Sequence, residues 1–442
     1  MESPAHSALK SRIHRRLRRL LDRPPGRDPV IDGVRAIAIL WVALLHVFFF
    51  HFGTFPDEIL GVFAGSGTQW IRQGVLGVDL FFVISGYLIG SILLGEHART
   101  GGIAVRRFYA RRFVRLVPVY AVAMALAAPL LQDVPTSAML KEIPPSGNVE
   151  NAWANLLYVN NLLPVDRQYM PWCWSLAIEE QFYLVAPVFL LFLLERARRP
   201  LVWMGALLAA SSLIRFAVVQ RHGILPPLAA NPADPEWARL FDTIYDKPHV
   251  RYGGLLTGLV GAYVSLHHLE RLKGWVGGPL RSTVILSACA AVIGLVACTS
   301  FESPGFDSLA PSVAQALFAA HRDVFAVAVL CALLVVMHGR GSLSSLGARC
   351  LSWRLLYPIA QLSYTGYLVH EAVMIFVFPK TAPLLAGAGW APAAVIAVDA
   401  GLALALTVLV CVLLFIFVEA PALEWRSSTG FRRLSGESND AG

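Results

Sequence analysis

IDGVRAIAILWVALLHVFFF, residues 31–50, is an almost entirely apolar run of about twenty residues that contains an arginine and a histidine. A helix needs roughly 20 mainly apolar residues to cross a bilayer, so this run predicts a membrane-spanning helix. The chain is 56% hydrophobic and only 15% charged, whereas soluble domains carry roughly 25% charged residues. The sequence therefore predicts an all-α polytopic membrane protein, a bundle of about ten transmembrane helices. The predicted spans are about 30–52, 74–95, 116–132, 173–194, 201–219, 250–267, 281–299, 322–338, 356–378 and 392–418.

Basic residues divide unevenly between the two sides of this bundle. With the N-terminus inside, the inner segments contain the basic residues from Lys10 to Arg27 and those from Arg99 to Arg115. The outer segments contain fewer basic residues, and Arg322 is one of them. Because Lys and Arg concentrate in cytoplasmic loops, both termini are predicted to be cytoplasmic. The net charge of +8 follows from this sorting beside an anionic leaflet, and no nucleic-acid partner is expected. The predicted divisions are a basic segment 1–29, a transmembrane domain 30–418 and a cytoplasmic tail 419–442.

Arg35 and His46 lie on one stripe of the first predicted span. They are eleven residues apart, which brings them within about 20° of the same helix face and roughly 16 Å apart along the axis. A pantetheine arm has a comparable reach, so the arginine is a candidate for holding nucleotide phosphates while a thioester lies near the histidine. The alternative is that Arg35 extends to the membrane surface and His46 is a hydrogen-bonded packing residue.

Other ionisable side chains fall at about the depth of His46 in other spans. Isolated carboxylates at that depth are costly, so pairing or a water-filled cavity is expected. A carboxylate that accepts a hydrogen bond from one imidazole nitrogen orients the ring and suits it to act as a general base. Asp79, Glu179 and Glu180 are the predicted catalytic carboxylates for this role. The full set is Asp79, Glu179, Glu180, Arg215 and Asp399.

Two further motifs carry candidate binding residues. In RRFYARRFVRLVP, residues 106–118, a helix places Arg112 and Arg115 on one face, where they are able to clamp an anion; an anchor on anionic lipid is the alternative. In LSYTGYLVHEAVM, residues 362–374, Ser363, Tyr367 and His370 lie near one face of the ninth span, although a lone histidine is more often structural. The six cysteines lack zinc-like spacing, so no metal site is expected.

Six motifs in order along the chain resemble those of the bacterial membrane acyltransferases known as acyltransferase family 3, which modify surface polysaccharides, peptidoglycan and some secondary metabolites. The resemblance covers nearly the whole chain. Each motif alone is modestly specific, and the six together are a strong signal. The motifs are IDGVRAIAILWVALLH (31–46), GVDLFFVISGYLI (77–89), RRFVRLVP (111–118), WSLAIEEQFYLVAP (174–187), LSYTGYLVH (362–370) and VEAP (418–421).

The resemblance implies a function and assigns roles to residues. It implies acyl-CoA as a cytoplasmic co-substrate with no tightly bound cofactor, His46 as the essential catalytic residue, and a bacterial inner-membrane location. The predicted partners are the lipid bilayer, acyl-CoA and a glycan or glycosylated small-molecule acceptor. The implied donor-handling residues are Arg35, Arg112 and Arg115, and the implied functional motif holds Glu179, Glu180 and Tyr183.

The leading hypothesis is therefore an O-acyltransferase, with acetyl as the favoured group, in which His46 is either the base or an acyl relay. Direct transfer and a covalent intermediate both remain open, as do the acceptor, the acyl chain length and the oligomeric state. The alternative from another class is a transporter or flippase of a lipid-linked sugar or a lipid, because polar groups within the membrane also line transport paths. A receptor without chemistry leaves the buried charges unexplained.

Overall fold

A computed structural model describes residues 4–65, 67–132, 148–224, 236–299 and 308–426. All regular secondary structure in these ranges is helical. The eleven principal helices are α1 (Pro4–Leu21), α2 (Pro29–His51), α3 (Leu76–Thr100), α4 (Val105–Gln132), α5 (Trp174–Arg196), α6 (Pro200–His222), α7 (Gly253–His267), α8 (Pro279–Cys298), α9 (Pro311–His338), α10 (Leu356–Gly387) and α11 (Pro392–Leu414).

Shorter helical segments connect or extend these helices. The short α-helices are Pro56–Ala64, Gln69–Arg72, Ala152–Leu156, Glu236–Leu240, Pro248–Arg251, Leu269–Val276, Ser342–Leu351 and Ala420–Arg426. The 3₁₀ turns are Gln73–Val75, Val149–Asn151, Asn160–Leu162, Val165–Arg167 and Pro171–Cys173, and the π-helical turns are Phe241–Tyr245 and Phe415–Glu419.

Within the described ranges, nine helices are long and apolar enough to cross a membrane, and the predicted polytopic all-α fold is confirmed. The predicted sixth span, 250–267, is divided between Pro248–Arg251 and the shorter α7. Large apolar side chains face outward as lipid contact requires: on α5, Leu184, Val188 and Phe192 recur every four residues and are 62–63% exposed.

Helix α7 lies close against α3 because glycines occupy their contact. A Cβ atom at Gly86 of α3 would overlap the backbone of Leu255, and one at Gly258 of α7 would overlap the backbone of Val83. Small residues allow helix backbones in membranes to approach closely. This approach buries α7 and places the segment before it, which carries Arg251, beside Asp79 of α3.

Helix α10 packs against α2, near the start of the chain, and against α11, near its end. Leu20 of α1 packs with Phe415 and Ile416, and Arg16 forms an ion pair with Glu424 at 2.7 Å. The two ends of the described chain therefore meet at one end of the bundle. The assignment of that end to the cytoplasm stays a prediction, and residues 427–442 of the predicted tail lie outside the described ranges.

Candidate active site

Arg35 and His46 project from α2 onto the same neighbouring helix. Arg35 Nη2 donates to Ser363 Oγ at 2.9 Å, and His46 Nδ1 lies 2.9 Å from Nε2 of His370. Ser363 and His370 are seven residues apart on α10, about two helical turns. The predicted common face of Arg35 and His46 is confirmed, and Ser363 and His370 are their partners.

Backbone contacts of His370 fix the protonation pattern of the histidine pair. His370 donates from Nδ1 to the carbonyl oxygens of Tyr367 (2.9 Å) and Gly366 (3.1 Å). In a neutral ring Nε2 is then an acceptor, so His46 donates to it from Nδ1. The lone pair of His46 therefore sits on Nε2, which is able to accept a proton from a hydroxyl.

The carboxylate beside His46 is Glu371, which is not among the catalytic residues predicted from the sequence. Glu371 Oε1 lies 3.3 Å from His46 Nε2 and 4.0 Å from His370 Nε2, and the residue is only 8% exposed. The sequence predicts Asp79, Glu179 or Glu180 at this position, and Glu371 occupies it instead. The available signal was a carboxylate within an apolar span directly after His370, because such groups usually mark a site.

His46, His370 and Glu371 also form a donor set of the kind that binds a metal, with one donor atom from each within 4.8 Å of the others. Two nitrogens on one tetrahedral zinc are about 3.3 Å apart at Zn–N distances near 2.05 Å. The two histidine nitrogens are 2.9 Å apart, which is a hydrogen-bond distance. We therefore interpret the group as a hydrogen-bonded pair with a neighbouring carboxylate.

A cavity of about 170 Å³ lies between α2, α3, α4, α5 and α10 on the Arg35 side of this group. One wall is apolar and comes from α3, where residues from Val78 to Ile92 recur on one helix face, a length of about 21 Å at 1.5 Å per residue. Apart from Ser85, the polar and charged residues of the lining come from the other segments. Eight predicted site residues line the cavity: Arg35, Arg112, Arg115, Glu179, Glu180, Tyr183, Ser363 and Tyr367.

Tyr183 connects the acidic and basic parts of the lining. Its hydroxyl donates to Glu179 Oε2 at 2.7 Å, and the guanidinium of Arg112 lies 5.0 Å from the centre of its ring, within cation–π range. Arg112 and Arg115 both line the cavity, as their predicted common helix face requires. The lining therefore combines positive groups with carboxylates.

Glu419 and Tyr158 also line the cavity and were not among the predicted site residues. Glu419 ends the π-helical turn Phe415–Glu419 and accepts from Thr365 Oγ1 at 3.3 Å. Tyr158 has φ of +55°, which is strained for a bulky residue, and burial raises the pKa of its phenol. The VEAP motif signalled Glu419, whereas no local sequence signal marks Tyr158.

Tyr367 separates the cavity from the histidine pair. Its hydroxyl accepts from Ser175 Oγ at 2.7 Å and donates to the carbonyl of Trp172 at 2.9 Å. Its ring centre lies 5.6 Å from that of His370. Among the described residues, the cavity lining includes Tyr367 and Ser175 but neither His46 nor His370. The arginine-lined cavity thus ends one side chain away from the histidines.

Asp79 binds arginines instead of His46. Arg322 Nη1 donates to Asp79 Oδ2 at 2.5 Å, and Arg251 Nη2 lies 3.5 Å from Asp79 Oδ1. Arg322 had been assigned to an outer segment, but it lies inside α9. The charges predicted to form one ring separate into local pairs, since Arg215 pairs with Asp323 and Asp399 with His51.

Substituting asparagine for Asp79 is expected to destabilise the protein by about 3–5 kcal/mol, because the buried Arg251 and the partly buried Arg322 lose their counter-charge. The measurement is the thermal unfolding midpoint in detergent. Asp57→Asn is the matched control, because Asp57 is exposed on the short helix Pro56–Ala64. Equal midpoints for the two variants would show that the Asp79 pairs contribute no stability.

A buried polar network fixes the segment that precedes Pro248–Arg251. Asp246 accepts from Gln168 Nε2 and contacts Lys247 Nζ, both at 2.9 Å. Burial raises the pKa of Asp246 to about 6, against the opposing effect of Lys247. Asp242 accepts from the backbone N–H of Val165 at 2.8 Å. These bonds hold the π-helical turn Phe241–Tyr245 against the 3₁₀ turn Val165–Arg167.

Comparison with known proteins places this site in a family context. A family model described as an acyltransferase domain matches residues 28–417. O-acetyltransferase OatA of Staphylococcus aureus strain NCTC 8325 / PS 47 is 35% identical over 179 residues, 39% of this chain and 26% of the relative. A putative O-acetyltransferase of strain COL is 34% identical over 206 residues, 42% of this chain and 29% of the relative. The match thus spans little more than a quarter of each relative. No solved structure matches.

Proposed function

The chain belongs to the family of proteins with this acyltransferase domain, and we propose that it is an inner-membrane O-acyltransferase that moves an acyl group, with acetyl as the favoured group, from cytoplasmic acyl-CoA to a hydroxyl of a cell-surface glycan or related glycosylated acceptor. One observation carries the proposal. Arg35, which lines the cavity, and His46, the proposed general base, both contact α10 from one face of α2.

The three arginines of the cavity are the proposed donor site. Guanidinium groups form paired hydrogen bonds with phosphate oxygens, and Arg35, Arg112 and Arg115 all line the cavity. The apolar wall of α3 suits the pantetheine arm, whose thioester end is directed toward Tyr367 and the histidines. Acyl-CoA is a co-substrate in this scheme and leaves as free CoA. The arginine end of the cavity then faces the cytoplasm.

The proposed reaction uses His46 as a general base. His46 Nε2 takes the proton of the acceptor hydroxyl while the hydroxyl oxygen attacks the carbonyl carbon of the thioester. Collapse of the tetrahedral intermediate breaks the C–S bond, and the imidazolium returns the proton to the CoA thiolate, so that the products are an ester and CoA. Glu371, 3.3 Å from Nε2, stabilises the imidazolium, and His370 holds the ring through Nδ1.

Incubation of purified protein with labelled acetyl-CoA, with and without acceptor glycan, tests the proposal. We expect CoA release that increases with acceptor, together with label in the glycan. Label retained on the protein without acceptor, and lost in the His46→Ala variant, would select an acyl relay over direct transfer. A protein that moves glycan across the membrane without releasing CoA would be a transporter, contrary to the proposal.

Replacing Arg115 by alanine is expected to raise KM for acetyl-CoA roughly tenfold or more, because a charge-assisted hydrogen bond contributes about 1.5–3 kcal/mol. The value of kcat should change less, since the arginine contacts the donor away from the reacting carbonyl. Steady-state CoA release measures both constants. Arg106→Ala is the control, because Arg106 is exposed in the same basic segment. An unchanged KM for Arg115→Ala would remove Arg115 from the donor site.

A further inference from the structure

The exposed part of His46 does not belong to the lining of the arginine-lined cavity. Its side chain is 19% exposed, yet the described lining of the cavity includes Tyr367 and not His46. Two rings of α2 flank the imidazole, Phe49 at 6.3 Å and Phe50 at 6.1 Å between ring centres. A second substrate is therefore able to reach His46 along a different path, past phenylalanines.

A row of aromatic rings continues from Phe49, and we call it the aromatic ladder. Phe49 lies 6.4 Å from Trp237, Trp237 lies 5.0 Å from Phe241, and Phe241 lies 4.8 Å from Tyr245, all between ring centres. Successive rings are tilted by only 31–43°. The π-helical turn Phe241–Tyr245 supplies two of them, and such turns are frequent at functional sites.

The end of the ladder at Tyr245 is fixed, whereas the end at His46 is accessible. Tyr245 contacts Trp174 at 4.9 Å, and the guanidiniums of Arg251 and Arg322 lie 5.6 and 5.7 Å from its ring centre. These cation–π contacts hold the ring in place. Phe49 and Trp237 are only partly buried. The rings nearest His46 are therefore available to a ligand.

We propose that the ladder is a saccharide subsite, which binds a sugar ring of the acceptor and presents its hydroxyl to His46; this inference rests on the proposed function. The ligand must offer a hydroxyl to Nε2 and an apolar face to rings about 6 Å away. A pyranose offers both, since its C–H face is weakly positive and aromatic faces are negative. A lipid tail offers the apolar face without the hydroxyl.

The experiment compares Trp237→Ala with the wild type. The acceptor is surface polysaccharide from cells that lack the gene, which carries unmodified hydroxyls, and the donor is labelled acetyl-CoA. We expect the half-saturating polysaccharide concentration to rise roughly tenfold, with acetyl-CoA hydrolysis in the absence of acceptor unchanged. Trp237→Tyr should restore saturation to within about threefold, because it keeps a stacking ring. Trp153→Ala is the matched control, because Trp153 is exposed in the segment before α5 and outside the ladder.

Three results would overturn the inference. Equal half-saturation for Trp237→Ala and the wild type would remove Trp237 from the acceptor path. A parallel loss of acetyl-CoA hydrolysis would show a structural role. An equal loss with hexanol as acceptor, which has a hydroxyl but no sugar face, would show a general apolar surface. A wild-type protein that releases CoA only by hydrolysis and never labels polysaccharide would contradict the proposed function itself, which is a distinct outcome.

Discussion

Replacing His46 by alanine is expected to lower the rate of acyl transfer by between about 100-fold and 10,000-fold, the range that general base catalysis contributes. The proposed mechanism has His46 Nε2 as the atom that receives the hydroxyl proton, and the neighbouring His370 already accepts a hydrogen bond at its own Nε2. The measurement is acceptor-dependent CoA release at saturating acetyl-CoA. Donor binding should persist, because the arginines of the cavity are unchanged.

The control for this variant is His14→Ala, which removes an exposed histidine of α1. Both variants should insert and melt like the wild type, because His46 is only partly buried. Full transfer by correctly inserted His46→Ala protein would exclude His46 as base and as relay. The alternative of His46 as a packing residue would then stand.

The change Glu371→Gln is expected to lower kcat by about 100-fold and to leave KM for acetyl-CoA near the wild-type value. The carboxylate lies 3.3 Å from His46 Nε2 and, in this mechanism, stabilises the imidazolium that forms in the transition state. Removing a preorganised electrostatic contact of this kind reduces kcat by about 10²–10³-fold. Glu371 is therefore a positioning and electrostatic residue in the scheme.

The separation of kcat from KM distinguishes this role from a structural one. Glu371→Asp should recover part of kcat because it keeps the negative charge. If the loss of kcat came from a packing defect, keeping the charge would not restore it. Glu58→Gln, at an exposed position of Pro56–Ala64, is the control. If Glu371→Gln reduced the melting midpoint and changed both kinetic constants together, the electrostatic role would be excluded.

The membrane bundle was predictable because hydrocarbon imposes length and composition on each span. The Arg35–His46 face was also predictable, since helical periodicity fixes which residues of one helix point the same way. The bounds of the sixth span were harder to predict. Glycines let α7 pack closely against α3, so α7 is surrounded by protein and its length is not set by the thickness of the lipid. The sequence predicts the eighth span over about 322–338, so that Arg322 stands at its start. In the fold Asp79 neutralises that arginine, and the helix begins at Pro311.

The partner of His46 was not predictable from depth. The sequence predicts Asp79, Glu179 and Glu180 at about the depth of His46, but the rotation of each helix about its own axis decides which neighbour a side chain meets. Asp79 meets Arg251 and Arg322, whereas Glu371 meets His46. The aromatic ladder depends in the same way on tertiary contacts, because Phe49 and Trp237 are far apart in sequence.

Transfer across a sealed membrane tests the central claim most directly. Proteoliposomes would enclose labelled acetyl-CoA, with unmodified polysaccharide supplied only outside. The account predicts that label appears on the external polysaccharide with the wild-type protein and at least about 100-fold more slowly with His46→Ala. Two results would contradict this account. One is label transfer only when donor and acceptor are on the same side of the membrane, and the other is an equal rate of transfer by the wild-type protein and His46→Ala.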